Sequence, residues 1–125
     1  MRILVADDHE IMRRGVRSVL ESRRDVEVCE ANDGDEAVEK TKELQPDLVI
    51  LDISMPRLDG FSAARRIKEA SPLTPIVIFS LNRTEAFIEI AKKIGASGYI
   101  TKGESEQTLL KAVDAVLHNQ TYFPS

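Results

Sequence analysis

Short apolar runs and helical patterns alternate five times along the chain. The apolar runs begin near residues 2, 26, 47, 75 and 97, and each has the length of one strand. After each run, apolar residues recur at the spacing of an amphipathic helix. These stripes are Met12, Val16, Val19 and Leu20; Ala37, Val38, Thr41 and Leu44; Phe61, Ala64 and Ile67; Phe87, Ile90, Ala91 and Ile94; and Leu109, Val113, Val116 and Leu117. The alternation predicts an α/β fold with a five-stranded parallel sheet flanked by five helices.

The predicted strands differ in how continuously apolar they are. Residues 3–6, 48–51 and 76–79 are apolar throughout, as strands buried on both faces must be. Residues 26–30 alternate with glutamates, and the run at Tyr99 and Ile100 is short. We therefore expect the second and fifth strands at the edges. The order 2-1-3-4-5 satisfies both conditions and is a known order of doubly wound sheets.

Composition indicates one folded domain and argues against direct binding of DNA. The chain has 125 residues, of which 42% are hydrophobic and 30% are charged, so a core is favoured over disorder. A net charge of −4 argues against direct binding of DNA phosphates. The single cysteine, Cys29, is predicted to be a packing thiol in a reducing compartment. The first apolar run is too short for a signal peptide or a membrane span, so we expect a cytoplasmic protein.

Charged and polar residues follow the strands at the points where they end. Asp7 and Asp8 follow the first strand, Asp52 ends the third, Ser80 follows the fourth and Lys102 follows the fifth. The carboxyl ends of parallel strands share one edge of the sheet, where ligands bind at the switch in strand order. Three carboxylates there repel one another unless a cation compensates, and oxygen ligands favour Mg²⁺ over zinc. The sequence therefore predicts a magnesium site beside a lysine.

Other interpretations of the acidic pair stay open. Asp7 or Asp8 could cap the first helix, and His9 fits a turn or surface histidine better than a metal ligand. A nucleotide-binding domain would need a glycine-rich turn where the sequence reads Asp7-Asp8-His9-Glu10. A phosphatase with an aspartyl nucleophile would need Asp-x-Asp, which the adjacent pair does not provide. The nucleotide-binding domain and the phosphatase therefore both fit the sequence poorly.

Together these motifs resemble the receiver domain of two-component response regulators, which has the CheY-like form of the flavodoxin-like fold. The resemblance covers residues 1 to about 119. Its parts are Asp7-Asp8, Asp52-x-x-Met55-Pro56, Asp59-Gly60, Ser80, and Tyr99 three residues before Lys102. Two further segments look most like the NarL/FixJ-type subfamily: Asp7-Asp8-His9 with Arg14-Gly15-Val16, and Gly98-Tyr99-Ile100-Thr101-Lys102.

The resemblance implies a phosphorylation-operated signalling switch rather than an enzyme. A sensor histidine kinase would transfer a phosphoryl group to Asp52, with Lys102 and Ser80 assisting at the phosphate. Ser80 and Tyr99 would then change the face formed by the fourth helix, fifth strand and fifth helix. Tyr99 could instead be ordinary packing, and Ser80 a small residue without a role.

The resemblance also implies the ligands of the metal. Asp8, Asp52 and the backbone carbonyl of Ser54 would bind Mg²⁺, and Asp7 would bind it directly or through water. One departure is Gly103 after Lys102, where the family often has proline with a cis peptide. The sequence leaves the geometry of this peptide open.

Residues 1–119 are expected to form the receiver, and residues 120–125 a tail or the start of a linker to an output domain. In the NarL/FixJ-type subfamily that domain usually binds DNA, so the expected output is transcriptional and any contact with DNA is indirect. Phosphorylation could also promote a homodimer, and no membrane contact is expected. The alternative is a stand-alone receiver that acts by direct protein–protein interaction. The Arg13, Arg17 and Arg24 stripe is interpreted as a solvated helix face or a kinase docking surface.

Overall fold

The computed structural model describes residues 1–124 and confirms the predicted alternation of strands and helices. The strands are β1 (Arg2–Ala6), β2 (Glu27–Ala31), β3 (Leu48–Asp52), β4 (Ile76–Ser80) and β5 (Gly98–Thr101). The helices are α1 (Glu10–Glu21), α2 (Gly34–Leu44), α3 (Gly60–Ala70), α4 (Glu85–Ile94) and α5 (Glu106–Leu117). Every strand begins within one residue of the position that the apolar pattern predicts. Among the described helices, none combines the length and apolar character needed to span a membrane.

The five strands pair in parallel in the predicted order β2-β1-β3-β4-β5. The interior strands β3 and β4 are buried along their whole length, whereas Glu27 of the edge strand β2 is exposed. The register places Ala6 beside Leu51 and Ser80 beside Thr101, so the strands end at one common edge. This edge carries the charged residues, as the sequence predicts.

Side chains of the sheet alternate between two apolar cores, because the sheet is covered on both faces. Leu4, Leu51 and Ile78 face the core beneath α2, α3 and α4. Ile3 and Ile50 face the opposite core, which α1 and α5 cover. Burying one such aliphatic side chain contributes about 1.5–3 kcal/mol. The two cores hold the strand ends in a fixed arrangement.

Helix α4 packs less deeply than its predicted stripe implies. The stripe leaves out Ile88, which is buried, and includes Ile90 and Ile94, which are only half-buried. The reason is the position of α4 at the end of its layer. It contacts α3 on one side and lies over the short edge strand β5. Its apolar surface is therefore wide and incompletely covered.

Residues 121–123 pack along the outer edge of β5. The Tyr99 backbone N–H donates to the Tyr122 carbonyl at 2.8 Å, and the Tyr122 N–H donates to the Ser97 carbonyl at 2.9 Å. Phe123 packs against the core, and the Lys92 ammonium lies 5.3 Å from the centre of its ring. This segment covers an edge that would otherwise present unpaired backbone groups. The polar character of the tail gave no indication of this pairing.

Candidate functional site

Asp52 is the last residue of β3, and its carboxylate is buried. Only 3% of the residue is exposed. Its Oδ1 accepts a hydrogen bond from the Ser54 N–H at 3.3 Å and lies 3.3 Å from Lys102 Nζ. Its Oδ2 is buried and has no hydrogen-bond partner among the described residues. A buried carboxylate oxygen without a donor is costly, so this atom marks a place for a cation.

The loop after β3 is held against Asp52 by a close backbone approach. The Gly60 N–H donates to the Ile53 carbonyl at 2.8 Å. A Cβ at Gly60 would lie 2.2 Å from the Asp52 carbonyl oxygen, so no larger residue fits there. Asp59 begins α3 by accepting hydrogen bonds from the N–H groups of residues 61 and 62, each at 3.0 Å. The Asp59-Gly60 pair thus fixes the loop that carries Ser54.

The acidic pair lies beside Asp52 at the end of β1. Asp7 is buried, whereas 30% of the Asp8 side chain is exposed. One ligand atom each from Asp7, Asp8, His9 and Asp52 lies within 4.8 Å of the others. Neither aspartate caps α1, because His9 is the N-cap and its side chain makes no cap hydrogen bond. Asp7 instead accepts the His9 N–H through Oδ1 at 2.9 Å.

His9 is a surface residue, as predicted, and its side chain also lies next to the acidic pair. Its side chain is 68% exposed, yet its Nδ1 lies 3.2 Å from Asp8 Oδ1. The imidazole therefore faces the acidic cluster from its solvent side.

Lys102 is buried between two of the carboxylates. Its Nζ lies 2.9 Å from Asp7 Oδ2 and 3.3 Å from Asp52 Oδ1. The Asp7 contact is an ion pair without the alignment of a hydrogen bond. The Lys102 N–H donates to the Ser80 carbonyl at 2.7 Å, which fixes the loop after β5. The Lys102–Gly103 peptide is trans, and Gly103 has a φ of 95° that favours glycine.

The balance of charge at this edge favours a divalent cation. Three carboxylates against one ammonium leave an excess of two negative charges. Burial, followed by the charge of Asp7, raises the pKa of Asp52 to about 6, while Lys102 acts in the opposite direction. The oxygen donors of Asp7, Asp8 and Asp52 and the unpartnered Asp52 Oδ2 fit Mg²⁺. Ser54 is exposed, and its backbone N–H donates to Asp52 Oδ1.

The two predicted switch residues lie next to this cluster rather than within it. Ser80 is buried, and its Oγ accepts the Asn82 N–H at 3.0 Å. Tyr99 is 1% exposed in the core beneath α4, and its hydroxyl donates to the Asn82 carbonyl. Burial raises the pKa of Tyr99 and the Ser80 hydroxyl opposes that shift. The phenol is therefore a hydrogen-bond donor at neutral pH.

Arg13 is the residue of the site that sequence interpretation missed. It is buried rather than solvated, and it donates to the Asp7 carbonyl. Arg24 is exposed, as the solvated-face interpretation predicts. The error arose because helical spacing alone does not show which arginine points toward the sheet. The glutamate of β2 that binds Arg13, Glu30, was the available signal.

Comparisons with known proteins agree with this geometry. Residues 3–114 match the family described as response regulator receiver domain. Oxygen regulatory protein NreC of Staphylococcus epidermidis is 40% identical over 124 residues, which are 98% of this chain and 57% of that protein. A protein-glutamate methylesterase/protein-glutamine glutaminase of Methanosarcina acetivorans is 43% identical over 90% of this chain and 33% of its own length.

A solved structure supports the same family. The crystal structure of a two-component response regulator of the LuxR family from Aurantimonas has a TM-score of 0.93 and 36% identity. The match covers 97% of this chain and 87% of that chain. The fold and site thus define a phosphorylation-operated signalling switch of CheY-like architecture. The chain belongs to the response regulator receiver domain family, in its NarL/FixJ-type branch. It spans about half the length of NreC.

Proposed function

We propose that this chain accepts a phosphoryl group on Asp52 from a phosphohistidine of a sensor histidine kinase. The observation that carries the proposal is the buried Asp52 carboxylate, with one unpartnered oxygen, beside two further carboxylates and Lys102. A carboxylate oxygen of Asp52 forms a bond to phosphorus while the phosphorus–nitrogen bond to the donor imidazole breaks. The electron pair leaves with the imidazole, and Asp52 becomes a mixed anhydride.

The surrounding residues align and neutralise the reacting groups. Mg²⁺, when bound, neutralises charge on the phosphoryl oxygens. Asp8, Asp52 and the backbone carbonyl of Ser54 are its proposed ligands, with Asp7 direct or through water. Lys102 already contacts Asp52 and pairs with a phosphate oxygen once the group is transferred. The Ser80 hydroxyl donates a hydrogen bond to another phosphate oxygen.

The signal then passes from Ser80 to Tyr99 and to the face formed by α4, β5 and α5. Support comes from the contact of both residues with Asn82 and from the pairing of residues 121–123 with β5. We assign residues 1–119 to the receiver and residues 120–125 to a tail or the start of a linker. The output is proposed to be transcriptional, through a DNA-binding domain outside this chain, because relatives include a LuxR-family regulator.

A stand-alone receiver that binds a partner directly is the second candidate. The methylesterase relative favours keeping it, since a similar receiver there belongs to a protein with a different named activity. In both cases the receiver itself is not an enzyme acting on other substrates. We further propose a cytoplasmic protein, in line with the unpaired Cys29, and a homodimer promoted by phosphorylation.

The proposed function is tested by phosphorylation with a small acyl phosphate and Mg²⁺, followed by intact-protein mass spectrometry. We expect one added phosphoryl group in the parent and none in Asp52→Asn. Asp35→Asn is the matched control, because Asp35 is an exposed aspartate in the first turn of α2 and should not affect labelling. Undiminished labelling of Asp52→Asn would refute the assignment of the acceptor.

A further inference from the structure

Arg13 lies at the start of α1, with its guanidinium next to the acidic site and 10% of its side chain exposed. Its Nη1 donates to the backbone carbonyl of Asp7 at 2.7 Å. Its Nε donates to Glu30 Oε1, also at 2.7 Å. Arg17 donates to the other oxygen of Glu30 at 2.6 Å. The two arginines therefore share one carboxylate, and of the two it is Arg13 that extends to the site.

The carbonyl that Arg13 binds belongs to the peptide group between Asp7 and Asp8. The orientation of this peptide is set by ψ of Asp7 and φ of Asp8, the backbone torsions next to the two Cα atoms that carry the carboxylates. The Asp7 N–H is held by the Ala31 carbonyl at 3.1 Å, and Asp7 Oδ1 accepts the His9 N–H. Arg13 supplies the contact at the carbonyl end. Without it, a buried carbonyl would lack a donor and the peptide could rotate toward another partner.

We propose that Arg13 is a positioning residue of the metal site, holding the Asp7–Asp8 peptide so that both carboxylates face the cation. The inference rests on the proposed function. The planar guanidinium donates in two directions at once, which a lysine ammonium at the end of a flexible chain does less well. Glu30 Oε1 accepts from the Arg13 Nε and so orients the guanidinium. Removing groups that orient metal ligands typically lowers metal affinity about 10–100-fold.

Charge and positioning predict opposite effects of removing Arg13. If the guanidinium acted only through its positive charge, its loss would make the site more negative and strengthen binding of Mg²⁺. If it orients the peptide, its loss weakens binding although the charge has become more favourable. The direction of the change in affinity therefore distinguishes the two roles.

The experiment titrates the full chain with MgCl₂ by calorimetry, at a temperature where circular dichroism shows every variant folded. We expect Arg13→Met to bind Mg²⁺ about tenfold or more weakly and Arg13→Lys to show a smaller loss. Arg17→Met is the matched control, since it removes the same charge and a contact with Glu30 but leaves the Asp7 carbonyl bound. Its affinity should stay close to that of the parent.

A second readout needs no metal. Hydrogen exchange at the His9 amide, which donates to Asp7, should be faster in Arg13→Met and unchanged in Arg17→Met. Equal or tighter Mg²⁺ binding by Arg13→Met, or an equal loss in Arg17→Met, would overturn the positioning role. If Arg13→Met does not fold, parent-like affinity and exchange in Arg13→Lys would overturn it instead. A parent chain without affinity for Mg²⁺ would overturn the proposed metal site itself, and with it this role.

Discussion

The hydroxyl of Tyr99 donates a hydrogen bond to the backbone carbonyl of Asn82. The N–H of the same Asn82 donates to Ser80 Oγ at 3.0 Å. In the proposed mechanism, a movement of Ser80 toward a phosphate at Asp52 displaces the loop after β4, whose Asn82 carbonyl accepts the hydrogen bond of the phenol. The link from the site to β5 is thus made of two contacts with a single residue.

The free energy that a switch requires predicts that Ser80 and Lys102 act together. Moving a switch from 1:99 to 99:1 needs about 5.5 kcal/mol of differential interaction. One hydrogen bond to a charged group supplies about 1.5–3 kcal/mol. We expect Ser80→Ala and Lys102→Ala to accept phosphate more slowly and to show an incomplete change in amide chemical shifts of residues 84–101 with an acyl-phosphate mimic. Ser22→Ala, at the exposed end of α1, is the control. Complete switching by Ser80→Ala would contradict the coupling.

The raised pKa of Asp52 predicts a destabilising contribution at neutral and alkaline pH. Because its pKa of about 6 in the fold exceeds the ordinary value of 3.8, the folded chain binds the proton more tightly. The contribution to stability therefore falls as pH rises between these values and stays lost above pH 6. We expect the free energy of unfolding of Asp52→Asn, measured with urea at pH 8 without divalent ions, to exceed that of the parent by about 3 kcal/mol.

Two comparisons isolate this effect. The difference between Asp52→Asn and the parent should shrink at pH 4, where the parent carboxyl is largely protonated. MgCl₂ at pH 8 should raise the stability of the parent more than that of the variant, because the ion binds only to the folded site. A difference that does not change between pH 4 and pH 8 would show that the Asp52 charge does not destabilise the fold.

Removing the Asp8 carboxylate should lower the affinity for Mg²⁺ without lowering the stability of the fold. Its side chain is partly exposed, so Asp8→Ala leaves no cavity in the core. Losing one of three carboxylates should weaken Mg²⁺ binding strongly and stop phosphorylation, while the ion-free melting temperature stays equal or rises as repulsion falls. Calorimetric titration and thermal unfolding check the two halves. Unchanged Mg²⁺ affinity would exclude Asp8 as a ligand.

The sequence was sufficient to separate edge strands from interior strands, because a strand buried on both faces is apolar throughout. The full order 2-1-3-4-5 follows only with the known order of doubly wound sheets. The continuous run 48–51 and the alternating run 26–30 distinguish an interior strand from an edge strand. The edge cluster followed from parallel topology, which brings Asp7, Asp52 and Lys102 to one side of the sheet. These predictions depend only on where each strand ends.

Contacts that depend on side-chain direction could not be predicted in the same way. Arg13 and Arg17 occur one helical turn apart, yet only the rotation of α1 on the sheet decides that Arg13 is buried. The pairing of Tyr122 with β5 depends on two backbone hydrogen bonds, which leave no apolar pattern in a polar tail. Tertiary packing determines both features.

Alanine should have opposite effects on stability at Gly98, which contacts residue 122 of the tail, and at Gly15, which does not. A Cβ at Gly98 would lie 3.1 Å from the Tyr122 carbonyl and 3.3 Å from Val77 Cγ2, so Gly98→Ala must displace the tail or the core. Such overpacking typically lowers the free energy of unfolding by about 1–3 kcal/mol. Gly15→Ala is the matched control, since nothing lies within 4 Å of that Cβ and the residue is inside α1. There alanine should stabilise the fold by roughly 0.5–1 kcal/mol. Urea unfolding of both variants, with hydrogen exchange at the Tyr99 amide, measures the two effects. Stabilisation by Gly98→Ala with an unchanged Tyr99 amide would show that residues 121–123 do not bind the edge of β5 in solution.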